Sequence, residues 1–264
     1  MFNLGKLLQN EWIKLFTRKG TWVMTAMVPI LVIAVGLLCQ YTNEDELNVN
    51  NVWEFIDLVI SVIPNLMDIV TLLTIIVAAG IVASEFSGGT IKLLLIRPFS
   101  RSTLLLSKYV TVLMYGLGLI LLLLLSAYLT GGILFGFGGA SLAHEGASYS
   151  NAAYVWKAVG YSDIELIVMV TLAFMFSSVF RASSVAIGIS LFFLLTGAQL
   201  AYVLKTFEWS KYLIFANTNL LLYIDGQPIM AGMSLSFSLL MLAGYQVLFL
   251  ALAWYVFAKR DVAN

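Results

Sequence analysis

The sequence predicts an all-α membrane protein with six transmembrane helices. Composition, long apolar runs and a lopsided charge distribution lead to that expectation. Of its 264 residues, 61% are hydrophobic and 11% charged, with a mean hydropathy of +0.97. A soluble domain is about 45–50% apolar and about 25% charged. Four prolines and no long polar tract point to one transmembrane domain over 1–264, with no appended soluble domain. The single cysteine, Cys39, excludes an internal disulfide or multi-cysteine metal site, and the single histidine, His144, excludes paired-histidine zinc chemistry.

Residues 1–19 form the first element. Leu4, Leu7, Leu8, Trp12, Leu15 and Phe16 recur at helical spacing, with Lys6, Glu11, Lys14 and Arg18 elsewhere on the surface. This predicts a basic amphipathic helix in the membrane interface, anchored by Trp12 at headgroup depth. The apolar run that follows lacks a small-residue cleavage site, because Gln40, Tyr41, Thr42 and Asn43 come next, so it reads as a retained helix. Six spans near or above the ~20 residues needed to cross hydrocarbon follow, at roughly 21–41, 60–83, 107–132, 164–181, 183–204 and 233–258. The fourth and fifth form a tight hairpin at Arg181-Ala182-Ser183-Ser184. Between the fifth and sixth, the 205–232 loop holds a short apolar segment, Tyr212–Ile224, too short to span and read as re-entrant or interfacial. Its Asn217, Thr218 and Asn219 need partners or water.

Charge sets the orientation. Lys6, Lys14, Arg18, Lys19, Lys92, Arg97, Arg101, Lys108, Arg181, Lys259 and Arg260 fall on one side of the six spans. The other side holds Lys157, Lys205 and Lys211, with Glu44, Asp45, Glu46, Glu54 and Asp57 in its first loop. Positive residues stay inside, so both termini are expected in the cytoplasm.

The chemistry-bearing motifs are mostly missing. The one Gly-Lys pair, Gly5-Lys6, is followed by Leu7 and lacks the upstream glycine of a phosphate-binding loop. The glycines at 131, 132, 136, 138 and 139 end a span and lack the strand–turn–helix setting of a dinucleotide site. His144 falls in the second outer loop, away from the membrane depth an intramembrane serine protease needs. No enzymatic role, cofactor, metal or nucleic-acid partner is expected of this chain. Asp68 is the acidic residue placed inside a span, about one helical turn deep, where it fits either a snorkelling carboxylate or an ion-coupling group.

The segment from 84 to 106 stands apart. Gly88-Gly89 supplies a bend, Ser87 or Thr90 can cap a short helix, and Pro98 stops it after Arg97. The apolar stretch Ile91–Ile96 is too short to span, and between Glu85, Arg97 and Arg101 it needs a protein or the membrane surface to cover it. Glu85, Gly89-Thr90-Ile91-Lys92-Leu93-Leu94-Leu95, Arg97-Pro98 and Ser100-Arg101 resemble the pattern E-x(3)-G-T-[LI]-[KR]-x-L-L-x-R-P-x-[ST]-R of the coupling segment in permease subunits of ABC-2 type transporters. The Phe180–Ser184 hairpin, Trp209–Leu213 with Asn219-Leu220, and the terminal Phe257–Val262 are similar too, so the likeness runs over essentially the whole chain. It departs at Phe86-Ser87, where many relatives carry a basic residue after the aromatic.

The resemblance implies a bacterial plasma-membrane exporter. A separate cytoplasmic ATP-binding subunit would bind ATP and magnesium, and two permease copies, or this chain with a related permease, would form the pathway. Glu85, Gly89, Thr90, Lys92, Arg97 and Arg101 would then form the ATPase-docking surface. The cargo would be an amphipathic or hydrophobic drug, antimicrobial peptide or lipid-like molecule. The alternative from a different class is an ion-coupled secondary transporter using Asp68.

Overall fold

A computed structural model describes residues 4–42, 49–61, 65–89, 100–138, 151–224, 226, 228–230 and 232–259, and every regular element among them is helical. In chain order these are α1 (Leu4–Thr17), α2 (Lys19–Thr42), α3 (Val52–Ser61), α4 (Leu66–Ile81), α5 (Ala83–Ser87), α6 (Arg101–Phe135), α7 (Asn151–Val179), α8 (Ser183–Leu204), α9 (Ile214–Thr218) and α10 (Leu235–Lys259). Among the described residues five helices are long and apolar enough to cross a membrane: α2, α6, α7, α8 and α10. The remaining expected span is shorter, since α4 covers 16 residues and ends at Val82.

Helix α4 is the axis of the bundle. It packs against α7, α8, α6 and α2, and twelve of its residues, from Leu66 to Ile81, are buried. Being apolar all round suits a helix enclosed by protein. The peripheral helices α2, α8 and α10 are the opposite case, each only 17% buried over its most apolar stretch. On α2, Thr21, Val28, Val32 and Gly36 face inward, and Trp22, Val23, Ile30, Ile33 and Leu37 face outward. In a multi-pass membrane protein such outward stripes meet lipid.

Residues 52–59, expected as loop, and 60–61, expected to open the second span, together form the packed helix α3. Phe55, Val59 and Ile60 are fully buried, and Phe55 fits against Gly131 of α6, where a β-carbon would lie 2.9 Å from its ring. The helix starts at a capping box. The Asn51 Oδ1 accepts from the amides of Trp53 and Glu54 (both 3.0 Å), and Glu54 Oε2 accepts from Asn50 N at 2.7 Å. Asp57, placed in the acidic loop by the sequence reading, is buried with this helix. Helix α7 likewise begins at Asn151 rather than 164, because Tyr154, Val155, Ala158 and Val159 bury one face of its first turns. Helix α6 begins at Arg101 rather than 107, with Ser100 Oγ accepting from Thr103 N at 3.1 Å as its cap.

The segment after α8 folds back onto the bundle as two 3-10 turns, Glu208–Tyr212 and Leu220–Tyr223, flanking α9. Asn217, fully buried, donates to the carbonyls of Lys211 and Leu213 (both 2.8 Å) and accepts from Ser238 Oγ at 2.8 Å. Phe215 stacks on Phe193 with centroids 5.6 Å apart, and its ring occupies the space that a side chain at Gly197 would fill. The absence of a β-carbon at Gly197 therefore seats this segment. Gly197→Ala is expected to destabilise the protein by about 1–3 kcal/mol through overpacking. Adding Phe215→Leu should recover part of the loss. Thermal unfolding of the four proteins of this cycle in detergent checks it, and an unchanged Tm for Gly197→Ala would contradict the seating.

Candidate functional site

At the end of the bundle where α1 lies, the helical ladder of α4 breaks at Val82. Ser177 Oγ of α7 accepts from both amides freed there, Val82 N and Ala83 N, each at 3.0 Å. This side chain is fully buried, so it fixes where the chain leaves α4 and how α5 starts. Residues Gly88 and Gly89 then close the turn, with Gly88 N donating to Ser84 O at 2.9 Å and Gly89 at φ +69. Only glycine takes that left-handed conformation without steric cost.

The short helix thus directs Glu85 inward, to a ring of alternating charge. Lys108 of α6 contacts Glu11 of α1 at 2.7 Å and Glu85 at 3.2 Å. Lys14 of α1 reaches Glu11 and Glu85, both at 3.2 Å. Lys108 is 2% exposed, Glu11 5% and Glu85 8%, whereas the Lys14 side chain keeps 40% of its surface. Leu15, Val77 and Ile81 line the same crevice, so the ring sits against apolar walls. Two negative and two positive charges balance, and each ammonium has two carboxylate partners, which offsets the loss of water. Three separate elements are joined here: the lead helix, the turn after α4, and α6. Arg18 adds a tie, its Nη2 lying 3.4 Å from Ser84 Oγ.

A second junction lies beside the first. Arg101 Nη1 donates to Ala258 O at 3.1 Å, near the C-terminal end of α10, where unpaired carbonyls attract a cation. Trp254 Nε1 donates to Ser102 Oγ at 2.9 Å, and Phe86 meets Phe257 edge-on at 6.5 Å. Deeper in the bundle, about 12 Å along the axes from Arg101 and Val179, Tyr109, Thr171 and Gln246 join α6, α7 and α10. Gln246 Nε2 donates to Tyr109 Oη at 2.9 Å and to Thr171 Oγ1 at 2.8 Å.

The expected docking residues therefore part company. Glu85 is not presented at a surface but is enclosed by Lys14 and Lys108, because α1 covers it. Arg101 is partly exposed at the α10 junction, and Gly89 makes the bend. Thr90, Lys92 and Arg97 lie outside the described residues. Trp12 is half-buried, packed on the core and 5.0 Å from Phe16, so protein contacts hold it. Asp68 is exposed in the first turn of α4, within electrostatic reach of Glu165 on α7. Among the described residues neither side chain forms a hydrogen bond or salt bridge, and both lie about 20 Å along their helices from the α1 end. Glu11, read as a surface residue, is buried, because Lys108 stands opposite it. Its place four residues from both Leu7 and Leu15, on the one buried stripe of α1, was the available signal.

Because Lys108 is enclosed and Lys14 is half in water, their loss should differ. Lys108→Met strands two buried carboxylates and is expected to cost about 3–5 kcal/mol. Lys14→Met should cost no more than about 1 kcal/mol. Thermal inactivation of the two variants in detergent ranks them, and the reverse order would refute the buried ring.

Comparison with known proteins agrees with a membrane protein. The chain is 37% identical over 314 aligned positions to the uncharacterized protein YhcI of Bacillus subtilis strain 168, covering 98% of this chain and 99% of that protein. It is 33% identical over 258 positions to the uncharacterized membrane protein YdbK of the same organism, covering 94% and 99% respectively. With residues 22–263 matched, the chain belongs to the family described as "Protein of unknown function (DUF2705)".

Proposed function

We propose that this chain is the membrane-spanning permease subunit of an ATP-driven ABC exporter, without a catalytic site of its own. The observation that carries the reading is the ionic ring at the root of the segment resembling an ABC-2 coupling segment. A partner bound to residues 90–101 pulls on Glu85, and Glu85 is tied to α1 and α6 at once. Load on the segment is thereby shared by helices that reach across the bundle, which suits rocking or shear of packed helices. In this reading Thr90, Lys92, Arg97 and Arg101 meet the cytoplasmic ATP-binding subunit, Gly89 makes the bend, and Glu85 is the strut behind them. Both termini are cytoplasmic, α4 is the sixth span, and two permeases assemble with two ATP-binding subunits in the bacterial plasma membrane. The cargo is an amphipathic or hydrophobic molecule moved outward.

The test is a pull-down of the tagged protein in mild detergent from its native host, assayed for bound ATPase activity. We expect an ATPase subunit to co-purify and its recovery to fall at least tenfold in Lys92→Glu with Arg97→Glu. Recovery should stay near wild type in Lys14→Met. A preparation free of ATPase would overturn the reading. The placement of Asp68 within electrostatic reach of Glu165, with no cationic partner among the described residues, favours one other reading, an ion-coupled transporter. Transport that persists without ATP but is lost in Asp68→Asn would establish it instead.

A further inference from the structure

We propose that the α1 end of the bundle binds anionic phospholipid headgroups at two lipid-facing lysine–aromatic pairs, Lys19 with Trp22 on α2 and Lys259 with Tyr255 on α10. Glu11 and Glu85 are the carboxylates described at this end, and both are buried and neutralised by Lys14 and Lys108. Among the described residues, the charges that remain exposed there are positive: Lys6, Arg18, Lys19, Arg181 and Lys259.

Position decides which partner that charge fits. Lys19 heads the outward stripe of α2. Trp22 follows one turn on at 60% exposed, then Ile30, Ile33 and Leu37 on the same side. The Trp22 indole donates to Phe16 O at 2.8 Å, which holds its ring across the α1–α2 elbow with one face open. Gly20 beside it has open space where a side chain would be. On α10 the pattern is repeated in reverse. Leu248, Leu252 and Tyr255 are exposed at helical spacing, and Lys259 follows one turn beyond, its Nζ 3.0 Å from Tyr255 Oη and 4.6 Å from the ring centre. An ammonium that continues an apolar, outward-facing stripe past an indole or phenol ring lies at headgroup depth. There the complementary anion is a lipid phosphate with an uncompensated negative charge. A protein docked on the end of the bundle would meet Lys6 and Arg18 but not cations at the head of lipid-facing stripes.

This inference rests on the membrane-spanning fold and not on the permease reading, so the two can fail separately. Spin-labelled phosphatidylglycerol and phosphatidylcholine, each added in trace to vesicles of unlabelled phosphatidylcholine carrying the purified protein, report the fraction of each lipid immobilised at the protein surface. The wild type should immobilise phosphatidylglycerol several-fold more than phosphatidylcholine, with the preference falling as salt is raised. Lys19→Gln with Lys259→Gln should bring the ratio close to one, and Lys211→Gln at the opposite end should leave it unchanged. Equal immobilisation of the two lipids by the wild type would overturn the proposal. So would a preference that persists in the double variant, which would leave these cations to a protein partner.

Discussion

An ammonium at Lys108 that is 2% exposed can be tolerated only because two carboxylates face it, and the rest of this end of the molecule is arranged to bring them there. Glu11 requires α1 to lie across the bundle with Leu7 and Leu15 inward. Glu85 requires the chain to leave α4 at Val82 and turn at once, which Ser177 secures by accepting two amides. Each requirement involves a different helix, so removing Glu11, Glu85 or Lys108 leaves buried charge that the others cannot screen. The ring holds one geometry more than it adds bulk stability, since apolar side chains of similar size could fill the same volume without desolvating four charges.

The opposite end is built by other means. There the segment from Glu208 to Tyr223 is held by amide and hydroxyl hydrogen bonds around Asn217 and Ser238, and by Phe215 against Gly197. Stacked rings run inward from it, Phe215 on Phe193 and Phe193 on Phe176 at 5.6 and 5.8 Å. Neutral contacts of this kind carry no large desolvation term. They can be remade in a shifted register at smaller cost than a buried salt bridge. The two ends therefore differ in how readily they rearrange: the α1 end is held by charge, the other by packing.

Much of this was legible in the sequence. The peripheral spans follow from hydropathy alone, and α8 begins and ends at Ser183 and Leu204 as expected. The bend at Gly88-Gly89 follows from local backbone chemistry, and Asn217 found the partners its type demands. Helix α3 was hidden because Glu54 and Asp57 made its stretch resemble an acidic loop. Yet Asn51-Val52-Trp53-Glu54 carries the spacing of a capping box, and Glu54 serves the cap rather than solvent. Long spans were read too short at the ends, because hydropathy fades where Lys108 and Asp163 enter while the helical backbone continues. The ionic ring was out of reach for a different reason. Its members come from positions 11, 14, 85 and 108, and no local pattern states which charges meet across three helices.

Two pairs of carboxylates in the bundle differ in kind, and the difference follows from their surroundings. Glu11 and Glu85 are matched by lysines at 2.7 to 3.2 Å, so their charge is used up within the chain. Asp68 and Glu165 have no such match among the described residues, and they stand near each other on the two helices most closely packed at the centre of the bundle. Like charges so placed repel, and hydrocarbon does not solvate them. The side of α4 carrying Asp68 is also the one exposed position on an otherwise enclosed helix. A carboxylate there is compatible with a membrane only where water, a cation or a second protein surface reaches it. Asp68 and Glu165 thus differ from the outward stripes of α2 and α10, whose exposed side chains are apolar and suit the bilayer.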